Sequence, residues 1–488
     1  MVTDSYDPPA DFELSADEMR ALGYRVIDMI VDHHSSLADK SATAFSRRDD
    51  LERLLREAPP GMGSDPESVL ATLERHVFSN IMYCTHPRHF AWVPGPSNFV
   101  GVLADALASG VNVCPGTWLE SSGPSQIELI TTEWLVELCG LPAGAGGVFV
   151  SGGSIANLTG LATARQIKLG ASMDGAVIYT SDQAHSSNWK NIRVLGFRPE
   201  QTRLIPVDAH LMLDAAALSD AVDEDRRNGK RPFCVIATAG TTNTGTVDPL
   251  DAIADVCEKQ DLWLHVDGAY GAAAVLTERG RALLKGMERA HSLVLDPHKW
   301  LFQPFDIGCC LVRDVRWLEE SFSEHPEYLQ DTRDKMDMSR EVNFCDRGVQ
   351  LTRAFRALKL WMSIKVYGLD RFRAAIDQGI SNAERAQDLL QEHGSFEIIT
   401  PAQIGVVTFR YRPPNCSDDD LNQLARSMFD GILADGHALL TTTVINGQTV
   451  LRLCTINPRT TDEDIRSTIE MIARVGADSY SSGDGARE

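Results

Sequence analysis

Residues 262–300 read LWLHVDGAYGAAAVLTERGRALLKGMERAHSLVLDPHKW, opening on one apolar run (LWLHV) and closing near another (SLVL). Each run stops at polar residues that a strand core would not select: Asp267 after the first, His298 and Lys299 after the second. The same alternation continues outward. GVFVS (147–151), AVIYTSD (176–182), FCVIATAG (233–240) and GCCLVRD (308–314) read as short buried strands separated by helical stretches. Strands alternating with helices predict an α/β fold with a mostly parallel central sheet covered on both faces. Ligands of such sheets bind beyond the carboxyl ends of the strands.

On the N-terminal side, Ser15-Ala-Asp-Glu18 is a capping-box pattern, with Met19, Leu22, Val26 and Ile30 following on one helical face. A Pro/Gly-rich segment around 57–66 is a loop. On the C-terminal side, 315–350 has weak periodicity and many charges and is expected to be a long loop, with a helix over 351–368. Then GVVTFRY (405–411), a helix after Ser417, TVLRLC (449–454) and a helix capped at Thr460-Thr-Asp-Glu463 suggest a second α/β unit. The expected division is an N-terminal helical segment (1–85), a large domain (86–368), a small C-terminal α/β domain (369–476) and a polar, disordered tail (477–488).

Composition removes several classes of function. Acidic residues outnumber basic ones by 68 to 46, a net charge of −22 that repels nucleic acid, though a local pocket can still bind a small anion. No apolar run approaches the roughly 18–20 residues of a membrane span, and the acidic N-terminus lacks the basic-then-apolar pattern of a signal peptide. Ten cysteines without a CxxC motif read as reduced core thiols, and the chain is expected to be cytoplasmic. No metal site is expected. His86 and His89 lie three apart beside a proline without matching ligands, which suits packing rather than metal binding.

Four strand ends carry the chemistry. SGGSIAN (151–157) follows a strand and opens a helix, so its glycines and free N–H groups can receive a phosphate; an ordinary turn with Ser154 as N-cap is the alternative. Asp267 ends LWLHV, either as a helix cap or as a charge held where the sheet opens. Lys299 follows SLVL, and a lysine that loses water there becomes a nucleophile able to form a Schiff base. His185, in SDQAHSSNWK (181–190), follows another strand. Phosphate donors, a carboxylate for a ring nitrogen and a strand-end lysine together match what pyridoxal phosphate requires, with the imidazole placed to lie over the ring.

The ordered set HPRHFAWVPGPSN (86–98), SGGSIANLTG (151–160), SDQAHSS (181–187), TAGTTNTGTVDPL (238–250), LHVDGAYG (264–271) and LDPHKWLFQPFDIG (295–308) resembles the group II pyridoxal-phosphate-dependent amino-acid decarboxylases. That family includes the aromatic-L-amino-acid, glutamate and cysteine-sulfinate enzymes. The resemblance runs from about residue 15 to 475. It implies a fold-type I enzyme, similar to aspartate aminotransferase in architecture, working as a homodimer with active sites at the subunit interface. Carried over by motif, Lys299 would hold the cofactor as a Schiff base and Asp267 would pair with its pyridine nitrogen. His185 and Ala269 would flank the ring, Gly153, Ser154 and His298 would contact the phosphate, and Thr242 would lie near the ring substituents. Tyr328, in HPEYLQD (325–331), matches a mobile-loop tyrosine that returns a proton to Cα.

The resemblance thus implies decarboxylation of an L-amino acid to the amine and carbon dioxide. The alternative is an aldehyde-forming oxidative deaminase, or a C–S lyase acting on a modified amino acid. Family members that make aldehydes have typically replaced the loop tyrosine or the stacking histidine, and Tyr328 and His185 are both retained. For the substrate, Trp92 and Pro94 suit a flat apolar side chain, Val93 and Gly95 depart from the residues usual there, and Phe305 is placed to reach the neighbouring subunit's pocket. Arg452 matches an arginine that engages the substrate carboxylate in glutamate decarboxylases. The expectation is an aromatic or other apolar substrate.

Overall fold

The computed structural model describes residues 14–324, 327, 330, 335, 337, 340–414 and 416–484. Its main sheet has seven strands: β1 (Gly146–Val150), β2 (Ala176–Thr180), β3 (Thr202–Leu204), β4 (Arg231–Thr238), β5 (Trp263–Asp267), β6 (Ser292–Leu295) and β7 (Gly308–Val312). They lie in the order β1-β7-β6-β5-β4-β2-β3. Strands β6, β5, β4, β2 and β3 pair in parallel, and β7 runs antiparallel to both of its neighbours. Every residue of β2, β5, β6 and β7 is buried, which is why these strands read as continuous apolar runs rather than alternating ones.

The edge strand β1 is finished by side chains. Phe149 donates its N–H to Glu128 Oε1 (3.0 Å), and its carbonyl accepts from Arg353 Nη2 (2.9 Å). Glu128 and Arg353 also pair directly at 2.6 Å, both buried. Two side chains therefore satisfy the edge groups that would otherwise be buried unpaired.

A second, four-stranded antiparallel sheet is formed by β8 (Phe396–Gln403), β9 (Val406–Tyr411), β10 (Thr441–Ile445) and β11 (Gln448–Cys454), in the order β10-β11-β9-β8. Helices Leu369–His393, Asp418–Asp435 and Asp462–Asp484 accompany it, with a core that includes Val407, Phe409, Leu451, Leu453, Met428 and Ile472.

Several sequence expectations need correction. Strand β3 was not anticipated, because three half-exposed residues are too few for a pattern to register. Strand β8 contains Pro401, a residue that argues against a strand and is tolerated here because β8 lies at the sheet edge. The helix expected over 351–368 starts only at Ala357, after Arg353 has turned inward to Glu128. The 315–350 stretch is not loop throughout, since Arg316–Phe322 is helical and Phe344–Arg347 forms a short 3-10 turn.

The final helix is capped at Thr461, whose hydroxyl accepts from Asp464 N–H, one residue later than expected. It continues through Asp484, into the stretch assigned to a disordered tail. Tyr480 keeps the apolar face in phase and packs on the small-domain core. The N-terminal helix Ala16–Ser35 has the expected capping box, yet none of its residues is buried.

Candidate active site

The carboxyl ends of β1, β2, β4, β5 and β6 open onto one cavity of about 360 Å³. Its walls bring together Gly153, Ser154, His185, Thr242, Asp267, Ala269, His298 and Lys299, which sequence reading had singled out from five separate motifs. Ser151, Asn157, Ser187, Thr238 and Asp296 are among the other lining residues.

One end of the cavity is a glycine cradle at the start of helix Gly153–Leu169. The N-cap is Gly152, with φ +156° and no side-chain cap, so Ser154 sits within the first turn and the capping alternative fails. A Cβ on Gly152 would stand 3.0 Å from His298 Cε1; one on Gly153 would stand 2.7 Å from Asp296 Oδ2. One on Gly308 would meet Gly152 Cα at 2.5 Å. Three segments can therefore close around a helix N-terminus whose dipole and N–H groups favour an anion. Asn191 Nδ2 steadies the turn by donating to the Ser154 carbonyl (2.8 Å).

Asp267, at the tip of β5, is buried and receives donors from two asparagines: Asn157 Nδ2 at 3.0 Å and Asn188 Nδ2 at 2.8 Å, both to Oδ2. Lys299 lies on the short helix Pro297–Trp300 that follows β6, with Nζ 3.0 Å from Asp296 Oδ2. Beside it, His298 Nδ1 accepts the Ile307 N–H at 3.1 Å, so Nε2 holds the proton, 3.5 Å from the same carboxylate oxygen. Burial lowers the pKa of His298. His185 caps helix Ser186–Val194, its Nδ1 pairing with Ser187 Oγ at 2.8 Å, and partial desolvation likewise lowers its pKa. Both imidazoles are thereby held in the neutral form at neutral pH.

Thr242 sits in a loop pinned by Asp248, whose Oδ2 accepts from Thr238 N–H (2.7 Å) and whose Oδ1 accepts from Leu213 N–H (2.8 Å). Burial pushes the Asp248 carboxyl up to about 6.

The expected substrate residues form a neighbouring group outside these walls. Phe305 packs tilted against the His298 ring, with centroids 4.9 Å apart, and lies against Gly95, where a Cβ would meet its Cζ at 2.5 Å. Arg452, almost wholly buried, donates through Nη1 to the Trp92 carbonyl (2.6 Å) and through Nε to the Asn243 carbonyl (3.2 Å). It therefore ties the Trp92 loop to the Thr242 loop. Pro94 is buried, Val93 packs on the main core, and Trp92 and Phe305 are exposed. His86 accepts Arg88 N–H at Nδ1 and pairs through Nε2 with the Lys40 carbonyl, while His89 is buried under Trp92. Tyr328 lies outside the described residues.

Sequence reading missed Asn157, Asn188 and Asp296. The signals were present: Asn157 is one turn beyond Gly153 in SGGSIAN, and Asp296 stands three residues before the lysine, the helical spacing that lets the two side chains meet.

The chain's own groups fit pyridoxal phosphate. Two buried cavity oxygens, Thr238 Oγ1 and Asp296 Oδ1, find no hydrogen-bond partner among the described residues, and the glycine cradle excludes side chains where an anion would rest. Comparison with known proteins agrees. The family described as "Pyridoxal-dependent decarboxylase conserved domain" matches residues 49–412. An aromatic-L-amino-acid decarboxylase of Bacillus atrophaeus is 48% identical over 456 residues, covering 93% of this chain and 95% of that protein. The crystal structure of Oryza sativa TDC with PLP and tryptamine superposes with a TM-score of 0.91 at 30% identity, covering 96% of this chain and 99% of that one. That of Rhodiola rosea 4-hydroxyphenylacetaldehyde synthase gives 0.87 at 26% identity, covering 95% and 99%. Sheet, strand-end lysine and family match converge: the chain belongs to the pyridoxal-dependent decarboxylases, enzymes that work with pyridoxal phosphate in a fold-type I scaffold.

Proposed function

We propose that the protein decarboxylates an aromatic L-amino acid to the corresponding amine and carbon dioxide, as a homodimer whose active sites lie at the subunit interface. The observation that carries the substrate class is the 48% identity, over nearly the whole chain, to a protein named as an aromatic-L-amino-acid decarboxylase. Trp92 and Phe305 present exposed aromatic surface, Phe305 against the ring of His298, the residue before the lysine. Arg452 donates through Nη1 and Nε to the carbonyls of Trp92 and Asn243, while its Nη2 finds no partner among the described residues.

Bound pyridoxal phosphate supplies an electron sink for the pair left at Cα when the carboxylate departs. Lys299 is assigned as its attachment point, with Asp296 holding Nζ in place. Asp267 is assigned to the ring nitrogen, and His185 and Ala269 to the two ring faces. The Gly152–Ser154 turn and His298 are assigned to the phosphate, and Thr242 to the ring substituents. The Cα–carboxylate bond breaks, carbon dioxide leaves, and Cα takes up one proton. Tyr328 is assigned as its donor on the match of HPEYLQD to the family's loop motif.

The dimer reading is supported by apolar side chains that one chain leaves uncovered. Met19, Tyr24, Val26 and Val31 on the first helix are exposed, as are Trp92 and Phe305 beside the cavity. The buried thiols of Cys139, Cys234, Cys257, Cys309, Cys310 and Cys454 suit a reducing compartment such as the cytoplasm. No helix among the described residues is long and apolar enough to cross a membrane.

The test is kcat/KM across tryptophan, phenylalanine, tyrosine and dihydroxyphenylalanine against glutamate and cysteine sulfinate. The reading expects the aromatic set to be preferred by about a hundredfold or more, the discrimination an apolar pocket achieves when a rival would bury an unpaired charge. Preference for the acidic pair would reassign Arg452 to the substrate. Sedimentation of the loaded enzyme checks the dimer.

A further inference from the structure

Behind Asp267 runs a chain of buried polar side chains that the reaction scheme does not use. Asn157 donates Nδ2–H to Asp267 Oδ2 (3.0 Å), which turns its Oδ1 toward His265 Nε2 (2.9 Å). His265 Nδ1 lies 2.7 Å from Ser292 Oγ, and Ser292 Oγ accepts the indole N–H of Trp263 at 2.7 Å. An indole nitrogen can only donate and an amide oxygen can only accept. The polarity is therefore forced at both ends. Trp263 donates to Ser292, Ser292 donates to His265 Nδ1, His265 Nε2–H donates to Asn157, and Asn157 donates to Asp267. His265, Asn157, Ser292 and Trp263 are all buried.

The packing is specific to this arrangement. His265 lies against helix Gly153–Leu169 at Gly160, where a Cβ would come within 2.8 Å of its Cε1. Burial pushes the His265 pKa down to about 4, which keeps the single-proton ring that the chain needs. Asn188 Nδ2 adds a second donor to Asp267 Oδ2 (2.8 Å), whereas among the described residues Oδ1 takes one long contact, from Ala269 N–H (3.3 Å).

We propose that His265 and Asn157 are positioning residues for the cofactor: their one-way hydrogen-bond chain fixes the plane of the Asp267 carboxylate and occupies Oδ2, reserving Oδ1 for the ring N–H of pyridoxal phosphate. The chain thereby holds the proton on the ring nitrogen that makes the bound cofactor an effective electron sink. His265 stands behind the cavity wall and Asn157 at its edge; both act through Asp267. This inference rests on the assignment of Asp267 to the ring nitrogen.

The experiment uses full-length protein loaded with pyridoxal phosphate carrying ¹⁵N in the ring. Nitrogen NMR reads the ring protonation directly, and a fluorescence titration reads cofactor affinity. In Asn157→Ser and His265→Phe the ring ¹⁵N resonance is expected to move from the protonated toward the unprotonated position. Cofactor affinity and kcat should each fall about tenfold, the scale of a lost hydrogen bond to a charged group, with KM little changed. His265→Gln, which keeps an N–H for Asn157, should recover most of both. If His265→Phe does not fold, Asn157→Ser decides alone. Asp267→Ala separates the two levels of the argument. If it moves the ¹⁵N resonance while Asn157→Ser leaves resonance and affinity unchanged, the relay is wrong and the Asp267 assignment stands. If Asp267→Ala also leaves the resonance in place, the assignment itself fails.

Discussion

Gly308 offers a sharp test of the glycine cradle, because an added Cβ would meet the Gly152 backbone first and Asp296 Oδ1 at 2.7 Å. A methyl group there would stand 2.5 Å from Gly152 Cα and 2.6 Å from its carbonyl carbon. Non-bonded carbons rest about 3.5–4.0 Å apart, so one of the two segments must shift by roughly an ångström. Strand β7 is paired on both sides, from Gly146↔Val312 to Val150↔Gly308 with β1 and from Ser292↔Val312 to Leu295↔Cys309 with β6. The segment that yields is the Gly152 turn. Over-packing of this kind costs about 1–3 kcal/mol, and the turn that absorbs it is the one assigned to the phosphate. At about 1.4 kcal/mol per tenfold, Gly308→Ala should weaken cofactor binding about fivefold to a hundredfold. The assay is fluorescence titration of the cofactor-free protein with pyridoxal phosphate. Gly63→Ala, whose added Cβ meets nothing within 4 Å, serves as the control and should bind normally. Affinity within twofold of wild type in Gly308→Ala would refute the assignment of this turn to the phosphate.

Three further outcomes are expected. Glu128→Gln removes the charge that compensates Arg353 in a fully buried pair, and should cost about 3–5 kcal/mol of stability, seen as a large drop in Tm of the loaded enzyme; a loss below about 1 kcal/mol would show that β1 does not need the pair. His89, buried with its pKa lowered to about 4, should make the fold acid-sensitive. As pH falls below about 6.5 the unfolded chain takes up a proton that the folded one refuses, so stability should decline by up to about 3 kcal/mol between pH 6.5 and 4. The urea midpoint of His89→Gln should fall less steeply over that window, and parallel pH profiles would count against this. Phe305→Ala should raise KM for aromatic substrates about tenfold. An unchanged KM would remove Phe305 from the substrate pocket.

The sheet was legible because buried parallel strands leave uninterrupted apolar runs, each ended by a residue out of keeping with a core. Asp267, Lys299, His185 and the Gly152–Gly153 pair all stood at such breaks, and the fold gathers them into one cavity. Elements that depend on tertiary neighbours were invisible. Strand β8 tolerates Pro401 only because no strand pairs on its outer side, and residues 351–356 stay out of the helix while Arg353 reaches Glu128. The site's supporting residues were missed for a related reason. Asn157 and His265 sit inside motifs that were quoted, but nothing in their spacing reveals that they meet across the β5–helix packing. Val93 and Arg452 were expected to touch substrate; Val93 packs on the core, and Arg452 holds the Trp92 and Asn243 carbonyls while its Nη2 finds no partner among the described residues.

The most direct measurement is product stoichiometry. The purified enzyme, loaded with pyridoxal phosphate, is given an aromatic L-amino acid labelled with ¹³C in the carboxyl group, while oxygen is followed and products are identified by mass spectrometry. Labelled carbon dioxide and the amine in equal amounts, without oxygen uptake, are predicted, and Lys299→Ala should abolish both. Aldehyde, ammonia and peroxide with oxygen consumption, or turnover that survives loss of Lys299, would contradict the account.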